Sequence, residues 1–76
     1  MAEEFGMQPL DAIMIRLHLS NHDLVEASKE QITHKMVQKG RKGRRLTPHI
    51  KTKILNALHA AIPEGERFSH RDLFNY

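Results

Sequence analysis

Residues 28–48 read SKEQITHKMVQKGRKGRRLTP, and the fold class turns on how this stretch is parsed. Ile32 and Met36 are its inner apolar pair, four apart and therefore on one face of a helix. Ser28-Lys29-Glu30-Gln31 has the form of a capping box, with Ala27 and Ile32 at the staple positions. The spacing predicts a helix over about 29–39 that ends at Gly40, a residue suited to a C-terminal stop. Residues 40–46 then form a basic loop, and Thr47-Pro48 supplies an N-cap followed by proline at the first position of another helix.

The same punctuation organises the flanks. Upstream, Pro9 opens a helix whose apolar face is Leu10, Ile13, Met14 and Leu17, stopping near Leu19. Ser20-Asn21-His22-Asp23 is a second capping box, so a very short helix of about two turns precedes the 29–39 segment. Downstream of Thr47, Ile50, Ile54, Ala57, Leu58 and Ala61 make one apolar stripe, ended by Pro63 and Gly65. A last start signal at Ser69, with Asp72 completing the box, predicts a short helix over about 70–75. No segment alternates with period two, so the chain is expected to be all-α, with four to five helices. Residues 1–8 read as a flexible arm and 9–76 as one helical domain.

Charge is distributed as unevenly as structure is evenly. Nine of the twelve basic residues fall between Lys29 and Lys53 against the single acid Glu30, a net of +8. Residues 1–28 carry −4 and residues 54–76 carry −1. A folded basic segment between acidic flanks marks a docking face for a polyanion. The aromatics, Phe5, Phe68, Phe74 and Tyr76, all lie outside it, which argues against single-strand binding by base stacking. No cysteine is present, which fits a reducing cytoplasm. No apolar run approaches the roughly 20 residues needed to cross a bilayer, so no membrane role is expected. The acidic start is unlike a signal peptide.

Catalysis and metal chemistry find no footing. Ser20, Ser28, Thr47 and Ser69 read as caps, and no base or oxyanion-stabilising pattern accompanies them, so no enzyme is expected. His18 and His22 have a metal-like spacing, but Ser20 breaks the helix between them and no third ligand follows. No metal or cofactor is anticipated.

A short helix leading into a basic one is the arrangement that enters a major groove. Opposite or beside the Ile32/Met36 stripe lie Glu30, Gln31, Thr33, His34, Val37 and Gln38. Candidate base contacts are Lys29, Glu30, Gln31, Thr33, His34 and Gln38, with Val37 suited to a thymine methyl. Candidate phosphate contacts are Lys35, Lys39, Arg41, Lys42, Arg44, Arg45, Thr47 and His49, the last two at a helix N-terminus that offers backbone N–H groups.

Gln31-Ile32-Thr33-His34-Lys35-Met36, the glycine-containing basic loop, Leu46-Thr47-Pro48 and Lys53-Ile54-Leu55-Asn56-Ala57-Leu58 together resemble the phage-repressor and lac-repressor type of helix-turn-helix DNA-binding domain. The resemblance covers roughly residues 19–60. It implies a compact repressor-like domain that binds double-stranded DNA and regulates transcription. It also implies that Thr33 and His34 occupy reading positions, Lys29 and Glu30 the first turn of the reading helix, and Thr47 the cap of the next. Val25 stands where that family usually has alanine, and residues 25–28 lack its turn glycine.

Two other classes compete with this expectation. One is a protein-interaction module, antitoxin-like or an adaptor subunit, gripping a partner with its C-terminal tail. The other is an RNA-binding accessory protein. The apolar tail (Phe68, Leu73, Phe74, Tyr76) is expected to pack on the core and contribute to a homodimer contact.

Overall fold

The computed structural model describes residues 5–62 and 67–76. Among them the helices are α1 (Pro9–Arg16), α2 (Asn21–Ala27), α3 (His34–Lys42), α4 (Pro48–Ala61) and α5 (His70–Leu73), and there is no β-strand. This is a small all-α domain. Four helix starts obey local chemistry. Pro9 and Pro48 each occupy a first turn, where a missing N–H costs nothing. The Thr47 hydroxyl accepts the Ile50 N–H at 3.2 Å. In the Ser20 box the Asp23 carboxylate accepts the Ser20 N–H at 2.7 Å, and in the Ser69 box Asp72 accepts the Ser69 N–H at 2.8 Å. The Ser20 N–H, and then the Ser20 hydroxyl donating at 3.0 Å, hold the Asp23 carboxyl below the usual carboxylate range.

The fifth start differs from expectation. Ser28 does not open a helix but closes α2 as its C-cap: its hydroxyl accepts the Glu30 N–H at 3.1 Å and donates to the Glu30 carbonyl at 2.6 Å, closing a local turn. α3 begins five residues later, where Thr33 accepts the Met36 N–H at 3.1 Å. The later start lets Ile32 drop into the core from the turn and brings Val37 inward. Val37 is therefore a buried anchor and not a candidate for a thymine methyl, while Met36 is only half-buried.

Gly40 is not the helix end. It lies inside α3, where an added Cβ would sit 3.2 Å from Ile54 Cδ1 and 3.4 Å from Leu46 and Phe74. The end is Gly43, at φ 83°, followed by an Arg44 N–H bonded to the Lys39 carbonyl at 2.9 Å. That Schellman closure needs a left-handed residue, which glycine adopts without a Cβ penalty. α1 closes the same way but with His18 at φ 58°, so it stops at Arg16, short of Leu19.

The core draws on every element: Leu10 and Met14 from α1, Leu24 from α2, Ile32, Val37, Leu46, then Ile54, Ala57 and Leu58 from α4, with Leu73 and Phe74. α2 lies along α4, and α3 packs against α1, α2 and α4. α5 is shorter than expected, four residues, because Phe74 leaves the helix in an extended conformation. Leu73 and Phe74 are 0% and 4% exposed within the single chain, so the tail closes this chain's own core.

Of residues 5–8, expected in a flexible arm, Phe5 and Gln8 are docked, while the Met7 side chain stays exposed. Gln8 is buried; its N–H reaches the Arg41 carbonyl at 2.9 Å and its Oε1 accepts the Asn75 N–H at 2.7 Å. Phe5 donates its N–H to the Gly43 carbonyl at 2.8 Å and stacks on Tyr76 at 4.2 Å. The remaining arm residues, 1–4, and the expected stop at Pro63 and Gly65 lie outside the described residues.

Candidate nucleic-acid interface

α3 has two unlike faces. Val37 and Gly40 point inward, with Met36 and Arg41 half-buried beside them. At 100° per residue this leaves His34, Lys35, Gln38, Lys39 and Lys42 on the other side. All but the half-buried Gln38 are exposed. Among the described residues the ammonium groups of Lys35, Lys39 and Lys42 make no hydrogen bond or ion pair. Three cations on one short helical face, with no ion pair to an acid among the described residues, keep that face strongly positive.

The expected site residues separate into groups. His34 stands at the first position of α3, its ring edge-on to His22 of α2 at 5.5 Å. Thr33 is exposed, but its oxygen is engaged as the cap. Lys29, Glu30 and Gln31 are not on α3 at all. They belong to the turn before it, where Glu30 Oε2 accepts from Asn56 Nδ2 of α4 at 3.3 Å. Lys29 and Glu30 border a depression shared with Asn56 and Ala60. The two lie toward α4 because the helix starts at Thr33 and not at Ser28.

Arg41 also departs from expectation. Its Nε donates to Asp11 Oδ1 at 2.6 Å and its Nη1 to Asn21 Oδ1 at 2.8 Å, with both charged side chains more than four-fifths buried. This guanidinium ties α3 to α1 and α2 and is not a phosphate contact in this conformation. Arg44 and Arg45 are exposed on the link to α4, and Thr47 and His49 on the first turn of α4. Arg45 and Thr47 line an open depression of about 630 Å³ with Phe5, Lys51 and Tyr76. Lys51 is committed there, donating to the Tyr76 main-chain oxygen at 2.9 Å and lying 4.3 Å over its ring.

Asn21 was not foreseen as part of the site. It joins the two helices: its Nδ2 donates to Gln38 Oε1 at 2.8 Å while its Oδ1 accepts from Arg41. Its only local signal was membership of the Ser20 box, and its partners lie 17 and 20 residues away.

No family model matches the chain, and neither a curated protein nor a solved structure does. Among the described residues no cluster of three or more His, Asp or Glu could hold a metal ion, and no helix is long and apolar enough to cross a membrane.

Proposed function

We propose that this protein is a repressor-like helix-turn-helix protein that binds double-stranded DNA sequence-specifically and regulates transcription by occupancy. The observation carrying the reading is the outward face of α3, where Lys35, Lys39 and Lys42 surround Gln38 and follow His34, while the opposite face is sealed into the core. An α-helix with its side chains is about 10–12 Å across, and a major groove about 12 Å wide admits it. In this reading the three lysines and the exposed Arg44 and Arg45 meet phosphates, and His34 and Gln38 meet base edges. The setting would be wherever duplex DNA is accessible, the cytoplasm in a cell without a nucleus.

A homodimer built through the tail has lost its motive, since Leu73 and Phe74 are covered within one chain. Two copies on paired half-sites would then be arranged by the DNA. Sedimentation with single and paired sites tests that arrangement: strictly one copy per paired site refutes it.

The test of the function itself is a salt titration with duplex DNA, duplex RNA and single strands. Duplex DNA should be preferred, and log K should fall linearly with log salt by about 0.9 per phosphate neutralised. Preference for duplex RNA would favour the RNA-binding alternative. Absence of nucleic-acid binding at low salt would leave the protein-interaction reading in its place.

A further inference from the structure

Gln38 ends a hydrogen-bonded chain whose polarity is fixed from inside the protein. The Asp11 carboxylate only accepts and takes the Arg41 Nε–H. A guanidinium only donates, so the group 2.8 Å from Arg41 Nη1 must be the oxygen of Asn21. That turns the Asn21 amide nitrogen toward Gln38, and the group it meets at 2.8 Å must be the Gln38 oxygen. The reverse setting would press N–H groups against N–H groups at both contacts. Gln38 therefore has its oxygen held in a part-buried contact with α2 and its NH₂ left over. Among the described residues no buried side-chain nitrogen or oxygen lacks a partner, and this nitrogen donates to none of them, so it reaches solvent beside the lysines of α3.

Resting on the DNA-binding reading above, we infer that Gln38 is a donor-only specificity residue that selects guanine, with Asn21, Arg41 and Asp11 as the positioning residues that set its polarity. A glutamine with a freely turning amide pairs with adenine by giving one hydrogen bond to N7 and accepting one from N6. Here the oxygen is turned toward α2 with one of its two lone pairs taken by Asn21, which leaves the NH₂ as the outward end. The neighbouring Lys35, Lys39 and Lys42 also donate only. Guanine presents two acceptors, O6 and N7, to the major groove and matches such a face.

The experiment is selection of the full chain on randomised duplexes, with Gln38→Ala marking the position that Gln38 reads. Guanine should be enriched there, at least about fivefold over adenine. Asn21→Asp inverts the relay: a carboxylate still accepts from Arg41 but cannot donate, so Gln38 must turn its NH₂ inward and its oxygen outward. The preference at that one position should move to adenine or cytosine, which present donors, while other positions stay unchanged. Replacing the selected guanine by 7-deazaguanine removes the N7 acceptor and should weaken the unaltered protein severalfold, a test independent of whether the Asn21 variant folds. Adenine enrichment by the unaltered protein, a preference unchanged or erased in Asn21→Asp, or indifference to 7-deazaguanine each overturns the inference. Binding to random duplex at low salt with no selected base overturns it while sparing duplex binding. No duplex binding at all overturns both.

Discussion

Replacing Gly43 by alanine should be among the most damaging single-atom additions in this chain. Gly43 sits at φ 83°, and a non-glycine residue there costs roughly 1–2 kcal/mol. The new Cβ would also collide with the Gly6 carbonyl, standing 2.8 Å from its carbon, and backbone cannot rotate aside as a side chain can. The arm must lift. It then loses the Phe5-to-Gly43 hydrogen bond, about 0.5–1.5 kcal/mol, and the Phe5–Tyr76 stack, about 0.5–1.5 kcal/mol. Together these give about 2–5 kcal/mol, a large share of what holds a domain this size folded. In thermal unfolding followed by far-ultraviolet circular dichroism, Tm should drop by at least about 8 °C. Removing residues 1–6 from both proteins separates the causes, because only the dihedral cost of roughly 1–2 kcal/mol should then remain between them. A drop under about 4 °C in the full chain, or an undiminished difference after truncation, would refute the reasoning.

Other outcomes follow from the same geometry. Changing Lys35, Lys39 and Lys42 together to alanine should weaken binding to all duplex sequences alike and flatten the salt slope by roughly 2.7, as binding isotherms at several salt concentrations would show. His18→Gly should stabilise the fold by about 0.5–1 kcal/mol in urea unfolding, since φ 58° is strained for histidine and natural for glycine. Burial raises the Tyr76 phenol above its ordinary value of about 10, so its contribution is fully present below that value and is lost as pH rises through the raised one. Melting measured across alkaline pH should show that loss, and Tyr76→Phe should remove it while costing about 1 kcal/mol for the hydrogen bond to the Arg44 carbonyl.

What could be read in the sequence was what four consecutive residues decide. The Ser20 and Ser69 boxes, Pro9 and Thr47-Pro48 needed no distant partner, and each marks a helix start in the structure. Ser28 and Thr33 are both capable caps, and the choice between them depends on packing. Only the Thr33 start buries Ile32 and Val37 together and slides Gly40 against Ile54 and Phe74. The same shift moved Lys29, Glu30 and Gln31 off the outward face while leaving His34, Lys35, Gln38, Lys39 and Lys42 on it. Arg41 was misread because its partner Asp11 is 30 residues away, and a charge run gives no sign of which member is spoken for.

The clasp formed by Gln8 and Asn75 joins positions 67 apart. Closing so long a loop carries an entropy cost that helices within residues 9–62 need not meet in order to pack. The clasp is thus expected to be missing when the chain crosses its folding barrier, with φ-values near zero at Phe5, Gln8 and Asn75. Weakening it would leave refolding rates nearly untouched and accelerate unfolding. Gln8 also holds the Arg41 carbonyl, so release of the clasp uncovers the last turn of α3 before the core opens. How fast this protein folds is a property of its middle; how long it stays folded is a property of its two ends.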